Sequence, residues 1–240
     1  MTRGSRMKRI RRSILSRIEL PILLAGLALA GALWSFMELV EIARASTPHD
    51  LDMRVLLAFR VEGHPDTPIG PPWLEDAVRD ITALGSVSVL VLIVAAVFIY
   101  FLLAGQGGTA LFVFLAVASG QILSSWMKVG VSRPRPELVS HLAAETSMSF
   151  PSGHAMLSAV TYLTLGALAT RVLPGRVTRA YVLLLAVFVT LMVGASRVYL
   201  GVHWPSDVLA GWCAGFAWAL SWWLVARLPW RRLFPGDHNR

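Results

Sequence analysis

The sequence predicts an all-α, polytopic membrane protein with six transmembrane helices. Of its 240 residues, 55% are hydrophobic and only 15% are charged, whereas a soluble domain carries about 25% charged residues. About 20 apolar residues in a helix cross a hydrocarbon core about 30 Å thick. Six apolar runs approach this length: 20–37 (continuing to about 43), 81–104, 109–127, 155–170, 180–196 and 208–226. A soluble protein with six such core helices would lack the polar surface to cover them.

The first run follows the basic segment 1–18, which holds seven Arg or Lys and no acidic residue. Such a segment is typical of a signal peptide, but the apolar run is too long for one and further spans follow. We therefore predict an uncleaved signal anchor. The fourth run, 155–170, is shorter than the others and spans only if the turn at 152–154 lies near the membrane interface.

The basic residues predict the orientation of the chain. With six spans, residues 1–18, the loop 171–179 and the tail 227–240 lie on one side and carry 14 of the 22 basic residues. The positive-inside rule makes that side cytoplasmic. The net charge of +8 then reflects topology, and we predict no nucleic-acid partner. The opposite, extracytoplasmic side holds the segments 44–80, 128–154 and 197–207.

Segment 44–80 holds four Arg and seven Asp or Glu. Apolar side chains recur at helical spacing within 51–60, which predicts a short amphipathic helix on the outer membrane surface. These apolar residues are Leu51, Val55, Leu56 and Phe59. The stretch 63–73 is rich in Pro and Gly and predicts turns, with His64 and Asp66 in a solvated loop. The whole chain, 1–240, is interpreted as one membrane domain.

Polar side chains are concentrated in the other two outer segments. Lys128 and Arg135 lie at the start of the second, where two prolines end helical geometry. Ser152, Gly153 and His154 open the fourth span. A helix N-terminus presents free N–H groups and a partial positive charge, which suit an anion.

The third outer segment continues this pattern. Pro205 suits the first position of the last helix, which places His203 on the preceding turn and Asp207 in the first helical turn. Asp207 is close enough in sequence to accept a hydrogen bond from the imidazole. Such a bond selects one tautomer and raises the basicity of the other ring nitrogen. Arg197 ends the fifth span at the same level.

One membrane face therefore carries two histidines, one carboxylate and at least three cations. Three cations neutralise a phosphoryl group without a metal, and arginine binds it through two N–H groups. One histidine can attack phosphorus, and the other can protonate the leaving alkoxide. For any single cation the alternative is an interface anchor that reaches toward water. Cys213 is the one cysteine, which excludes an intramolecular disulfide and a cysteine-cluster metal site.

Three stretches of the sequence match a known signature. They are "KVGVSRPRP" from Lys128, "PSGH" at 151–154 and "SRVYLGVHWPSD" at 196–207. In this order and within six spans, they resemble the motifs of the type 2 phosphatidic acid phosphatase family, also called lipid phosphate phosphatases. The chain is similar to the bacterial six-span form. The motif-bearing region is 128–207.

The resemblance implies a role for each motif residue. His203 is the nucleophile that forms a phosphohistidine, and Asp207 orients and activates it. His154 protonates the leaving group and then activates water. The residues that hold the phosphate oxygens are Lys128, Arg135, Ser152, Gly153 and Arg197. Arg133, Ser196 and Glu145 are bystanders. The resemblance implies neither a cofactor nor a metal.

The resemblance also implies a lipid phosphate substrate in a bacterial inner membrane, with an extracytoplasmic site and cytoplasmic termini. Undecaprenyl diphosphate is the first expectation. Phosphatidylglycerol phosphate, phosphatidate and the phosphate of lipid A are alternatives, because the motifs recognise the phosphate and not the lipid.

Two functions of another class stay open at this point. One is a non-hydrolytic lipid transporter that keeps the pocket, and the other is a lipid phosphotransferase that uses the same phosphohistidine. The vanadium haloperoxidases share the signature but are soluble, so six spans argue against them. The sequence does not indicate an oligomeric state.

Overall fold

The computed structural model describes residues 3–45, 47–143 and 147–227, with side chains from residue 20 onward. The predictions for the basic residues of 1–18, for Glu145 and for 228–240 lie outside this description. Within it, eight helices and one hairpin follow in order: α1 (Arg3–Arg44), α2 (Asp50–Leu57), β1 (Arg60–Val61), β2 (His64–Pro68), α3 (Pro72–Ala83), α4 (Val87–Leu103), α5 (Gly107–Val131), α6 (Gly153–Ala169), α7 (Arg176–Tyr199) and α8 (Pro205–Val225).

All six predicted apolar runs are mainly helical, but they differ in length. Among the described residues, four segments are long and apolar enough to cross a membrane: Leu20–Arg44, Gly107–Val131, Arg176–Tyr199 and Pro205–Val225. Helices α3 and α4 make a fifth if they count as one span bent by 46°. Helix α6 has 17 residues, fewer than the about 20 that a span needs. The span at 155–170 therefore stays a prediction.

The predicted span over 81–104 is not one uninterrupted helix. Residues up to Ala83 belong to α3, and α4 begins at Val87 after a break. Ser86 caps the new helix, because its hydroxyl accepts a hydrogen bond from the N–H of Val89 at 3.3 Å. Hydropathy does not detect the break, since apolar residues continue on both sides of it.

The break has a packing reason at Gly85. A Cβ at this position would collide with the side chain of Val193 on α7 and lie 3.2 Å from the carbonyl oxygen of His154 on α6. The chain thus passes directly over the start of α6, and glycine permits this approach.

Large apolar side chains cover the outside of the helices. Leu27 of α1, Leu92 and Leu103 of α4, and Leu184 and Phe188 of α7 are all exposed, and Leu103 is 85% exposed. Soluble monomers rarely expose contiguous apolar surface on this scale. The protein is therefore an integral membrane protein, whose long apolar helices expose these side chains to lipid.

Segment 44–80 packs where α7 ends and α8 begins. The Tyr199 hydroxyl donates to the carbonyl of Ile69 at 2.9 Å, and Arg60 donates to the Tyr199 carbonyl at 2.9 Å. Ser140, in the loop after α5, donates a hydrogen bond to Asp66. Asp66 is exposed, as predicted, but it lies in β2 and is tied by this hydrogen bond to the loop after α5. The antiparallel hairpin β1–β2 is a small exception to the all-α prediction.

Helix α2 confirms the short helix predicted within 51–60, but not the face that it presents. Leu56 and Asp52 are buried, whereas Leu51 and Val55 are exposed. Leu56 packs in a core cluster that includes Trp204. The helix is thus attached to the protein through one face, and the four apolar side chains do not share a single membrane-facing side.

Helices α6 and α8 form the close contact at the centre of the fold. A Cβ at Gly211 would lie 2.7 Å from the carbonyl oxygen of Ser152, and one at Gly215 would lie 2.5 Å from that of Met156. Small residues four apart let two backbones approach in this way. This contact places the first turn of α6 beside the first turn of α8.

Candidate active site

The loop between α5 and α6 folds back over the end of the helix bundle. Helix α5 ends at Val131, and its C-cap residue Ser132 adopts the left-handed conformation at φ 52°. The Ser149 N–H donates to the Arg133 carbonyl at 2.9 Å, which closes the loop. The Ser152 N–H donates to the Asp207 carbonyl at 3.0 Å, which ties the start of α6 to α8.

His203 lies on the turn before α8 and is 1% exposed. Its Nε2 is 3.3 Å from Nη1 of Arg135. Its Nδ1 is 3.4 Å from the Ser149 hydroxyl oxygen and 3.6 Å from Oδ2 of Asp207. The two ring nitrogens therefore face different groups, one a cation and the other a hydroxyl backed by a carboxylate.

Asp207 lies in the first turn of α8, and its carboxylate is fully buried. Oδ2 accepts hydrogen bonds from the Trp204 N–H at 3.0 Å and from the Ser149 hydroxyl. Oδ1 accepts from Nη1 of Arg133 at 2.6 Å. The direct imidazole–carboxylate hydrogen bond that the spacing predicts is absent from this geometry, because 3.6 Å is too long. The Ser149 hydroxyl bridges the two groups instead, because it can accept a hydrogen bond from Nδ1–H of His203 while it donates one to Asp207.

The surroundings lower the pKa of His203 from 6.5 to about 4. The main cause is burial, which disfavours the charged imidazolium. Asp207 acts in the opposite direction, and the positive charges of Arg135 and Arg197 lower the pKa further. At neutral pH the imidazole is therefore uncharged, and one of its nitrogens carries a free lone pair.

Two of the predicted cations converge on Ser147. Lys128, in the last turn of α5, donates from Nζ to the Ser147 hydroxyl at 2.8 Å. Arg135 donates from Nε to the Ser147 carbonyl at 2.9 Å and from Nη2 to its hydroxyl at 3.3 Å. A Cβ at Gly153 would lie 3.8 Å from the Lys128 Nζ, so the ammonium group also lies beside the start of α6.

The third predicted cation, Arg197, is buried in the last turn of α7. Its Nη1 donates to the Thr82 hydroxyl at 3.2 Å, which links it to α3. Its charge acts on His203, which places it at the same end of the bundle as the other site residues.

Ser152 and Gly153 form the start of α6, as predicted. Ser152 is the N-cap residue and is fully buried. Its hydroxyl has no hydrogen-bond partner among the described residues. A buried hydroxyl without a partner is uncommon, and this one lies at a helix N-terminus. His154 follows in the first turn, next to the break at Gly85.

Sequence reasoning missed three side chains that contact this site. Arg133, predicted to be a bystander, is buried and bonded to Asp207. The other two are Ser149 and Asp52, which belong to none of the sequence motifs. No local signal marks Ser149, but Arg133 stands two residues before Arg135 in a segment already assigned to the site. Ser196, the other described bystander, bonds only within its own helix, to the Val193 carbonyl.

Within residues 3–45, 47–143 and 147–227, no group of three or more His, Cys, Asp or Glu side chains is arranged to hold a metal ion.

Comparison with known proteins adds independent evidence. The model of the PAP2 superfamily matches residues 109–231. Phosphatidylglycerophosphatase B of Bacillus subtilis (strain 168) is 35% identical over 152 residues, which cover 61% of this chain and 72% of that protein. An undecaprenyl-diphosphatase of Sulfolobus acidocaldarius is 37% identical over 70 residues, 29% of this chain and 30% of that protein.

A solved structure is also similar. The crystal structure of a transmembrane PAP2-type phosphatidylglycerolphosphate phosphatase from Bacillus subtilis superposes with a TM-score of 0.74 at 26% identity. The superposition covers 82% of this chain and 95% of that one. The family match spans just over half of the chain and includes every predicted site residue. The chain belongs to the PAP2 superfamily and is a membrane-embedded lipid phosphatase.

Proposed function

We propose that the protein hydrolyses lipid phosphates without a metal, through a phosphohistidine on His203. The observation that carries this proposal is the arrangement of the imidazole. Its Nε2 lies 3.3 Å from a guanidinium nitrogen of Arg135, while Nδ1 faces Ser149 and Asp207. With the proton on Nδ1, the lone pair of Nε2 points to the place where cations gather.

In the first step the Nε2 lone pair attacks phosphorus. The bond between phosphorus and the leaving oxygen breaks, and His154 donates its proton to that oxygen. The imidazole gains positive charge in this step, and Asp207 compensates that charge through Ser149. A nucleophile held in a dry site by such contacts needs little reorganisation.

In the second step water attacks the phosphohistidine. His154, now neutral, takes a proton from the water as the N–P bond breaks, and inorganic phosphate leaves. The lone pair returns to Nε2, so the enzyme is restored without a redox partner or a second substrate. One histidine thus acts as acid and then as base.

Five groups bind the phosphoryl oxygens in this proposal. Arginine and lysine supply charge-assisted hydrogen bonds, and the start of α6 supplies N–H groups and its partial positive charge. The unpartnered hydroxyl of Ser152 supports this, because a phosphate oxygen would satisfy it. The five groups belong to Lys128, Arg135, Arg197, Ser152 and Gly153.

An apolar cleft provides space for the lipid tail. It lies between α4 and α5, has a volume of about 650 Å³ and is lined by residues such as Leu90, Phe98 and Phe114. Val87 and Leu157 line it as well. Leu157 follows His154 by one helical turn, so the cleft begins just below the site. This supports a substrate with its phosphate at the membrane surface and its tail in the bilayer.

The relatives suggest two substrates. The longer match is to a phosphatidylglycerophosphatase, and the shorter one is to an undecaprenyl-diphosphatase. The extent of the first match makes phosphatidylglycerol phosphate the substrate we propose first. Undecaprenyl diphosphate, expected first from the sequence, is the second candidate.

We also propose the six-span frame, in a bacterial inner membrane with both termini in the cytoplasm. Helix α6 would complete its span together with the turn before it. The site then faces the extracytoplasmic side, because the Arg-containing loop 171–179 lies at the opposite end of α6 and α7.

The test is a phosphate-release panel with purified protein in detergent and EDTA. The panel contains phosphatidylglycerol phosphate, undecaprenyl diphosphate, phosphatidate and lipid A phosphate. We expect release from at least one of them in EDTA. His203→Ala should abolish turnover and the acid-labile phosphoenzyme. His64→Ala, on the exposed hairpin, is the matched control and should behave like the wild type.

Each alternative has its own outcome. Loss of activity in EDTA and recovery with a divalent cation would contradict the metal-free mechanism. A phosphoenzyme that persists in His203→Ala would place the nucleophile elsewhere. Lipid movement without phosphate release would indicate a transporter, and transfer to an added lipid or sugar acceptor would indicate a phosphotransferase.

A further inference from the structure

Asp52 is a buried carboxylate that the mechanism above does not use. It lies on α2, outside the motif-bearing region, and is 3% exposed. Its Oδ1 accepts a hydrogen bond from the Ser206 N–H at 2.8 Å, and its Oδ2 accepts from the Ser206 hydroxyl. Asp52 thus binds the first turn of α8, where the helix N-terminus favours an anion.

A single guanidinium connects Asp52 to the catalytic pair. Arg133 donates from Nη2 to Oδ2 of Asp52 at 2.9 Å. From Nη1 it donates to Oδ1 of Asp207 at 2.6 Å and to the Ser206 hydroxyl at 2.7 Å. The Arg133 side chain is 6% exposed, and its guanidinium lies over the Trp204 ring, 5.4 Å from the ring centroid. Arg133 therefore has one orientation, in which it bridges two buried carboxylates.

The charges of these groups matter for His203. Arg133 and Asp207 alone sum to zero, so they would offer little net negative charge to an imidazole that becomes positive during attack. Asp52 makes the group of three net negative. In a buried site such charges are weakly screened.

Resting on the phosphohistidine mechanism proposed above, we infer that Asp52 is a positioning residue for the reaction. It holds Arg133 in the orientation that fixes the Asp207 carboxylate, and it keeps the group behind His203 negatively charged. Asp52 thereby connects the outer segment 44–80 to the candidate site, although it belongs to none of the three motifs.

Asp52→Asn tests this inference. The amide keeps the size of the side chain and can still accept from the Ser206 N–H, but it removes the charge that faces Arg133. Loss of a hydrogen-bonded group that orients a metal ligand typically lowers activity 10- to 100-fold, and we use the same scale for a group that orients a catalytic carboxylate. We expect kcat to fall by about that factor with KM within about twofold, and the rate of phosphoenzyme formation to fall equally. Asp52→Glu should recover part of kcat.

Asp50→Asn is the matched control. Asp50 lies two residues away on the same helix and is exposed, so kcat and KM should equal those of the wild type. Rates are measured on the monodisperse fraction and normalised by binding of vanadate. Because Asp52 acts in part through Arg133, the losses of kcat in Asp52→Asn and Arg133→Lys should be less than additive in the double variant Asp52→Asn/Arg133→Lys.

The outcomes separate this inference from the proposed function. An active wild type with unchanged kcat in Asp52→Asn would overturn the inference alone, as would additive effects in the double variant. A rise in KM at constant kcat would mean that Asp52 only shapes the substrate site, and would also overturn it. A wild type without a phosphohistidine would instead remove the mechanism on which the inference rests.

Discussion

At His203, burial and hydrogen bonding act in opposite directions on the imidazole. Burial is the larger effect, so its pKa is lowered to about 4 although Asp207 lies 3.6 Å away. A nucleophile needs its lone pair, and this environment keeps the lone pair free at neutral pH. In the proposed mechanism Asp207 contributes most when positive charge develops on the imidazole, which is when compensation favours the reaction.

The lowered pKa predicts how stability depends on pH. In the unfolded chain His203 binds a proton near pH 6.5, whereas in the folded protein it does so only near pH 4. Between these values the unfolded state holds more protons, so stability falls as the pH decreases from 6.5 to 4. The shift corresponds to about 3 kcal/mol lost by pH 4.

Thermal unfolding in detergent, followed by tryptophan fluorescence between pH 4 and 8, measures this effect. His203→Asn removes the titrating group and serves as the reference. The wild type should lose more stability than this variant between pH 6.5 and 4, and the two should run parallel above pH 7. Parallel curves over the whole range would show that the pKa of His203 is not lowered.

At the scale of the elements, the contact between α6 and α8 sets the geometry of the site. His154 lies on the first turn of α6, and Asp207 lies on the first turn of α8. The distance between these turns depends on Gly211 and Gly215, which let the two backbones approach. A small change in this contact moves the proposed acid relative to the proposed nucleophile.

Gly215→Ala should therefore destabilise the protein. Its Cβ would lie 2.5 Å from the Met156 carbonyl oxygen and 2.6 Å from the Ala159 Cβ, and backbone atoms cannot move aside independently. Overpacking of this kind typically costs about 1–3 kcal/mol. The measurement is the midpoint of thermal unfolding together with kcat.

Gly31→Ala is the control for helix propensity. Gly31 lies in α1, and a Cβ there would meet nothing within 4 Å. Alanine favours a helix over glycine by about 1 kcal/mol, so this variant should match or exceed the stability of the wild type. Equal loss in both variants would mean that the α6–α8 contact is not tight.

At the scale of the whole molecule, polar chemistry is gathered at one end of an apolar bundle. The hairpin, α2, α3 and the loop after α5 all pack at the end where α7 meets α8. The loop between α6 and α7 lies at the other end and carries Arg171, and Arg176 follows it as the first residue of α7. Because the two ends of the bundle differ in this way, the proposed orientation places the polar end outside the cytoplasm.

Cysteine labelling tests the orientation. Cys213 is the single cysteine, so Cys213→Ser provides a background without thiols. In spheroplasts, a membrane-impermeant maleimide should label Glu62→Cys on the exposed hairpin. Pro174→Cys, in the loop between α6 and α7, should be labelled only after permeabilisation. The reverse pattern would place the site on the cytoplasmic side.

Much of the candidate site was predictable because its residues lie close in sequence to the ends of apolar runs. A lysine, arginine or histidine at such a boundary is confined to the depth of the membrane surface, whichever way the helices pack. The positions of Lys128, Arg135, Arg197 and His203 follow from this. Pro205 likewise predicts the start of α8 from its own backbone chemistry.

The break at 84–86 was not predictable in the same way. It arises because Gly85 is pressed between α6 and α7, and this contact is between residues far apart in the chain. The same holds for Ser149, whose hydroxyl stands between His203 and Asp207 because the loop folds back over α8. A hydropathy pattern indicates how deep a residue lies along the membrane normal, but it does not indicate which helices lie beside that residue.

The sequence by itself determined the membrane class, the apolar helices and the candidate residues of the proposed phosphate site, because these depend on local composition and on spacing along one helix. Only the tertiary structure decided which polar groups meet. Asp52 and Ser206 are 154 residues apart in sequence, and Arg133 and Asp207 are 74 apart. Their contacts depend on how α2 and the loop after α5 pack on α8, and this packing results from many weak apolar contacts summed over the whole chain.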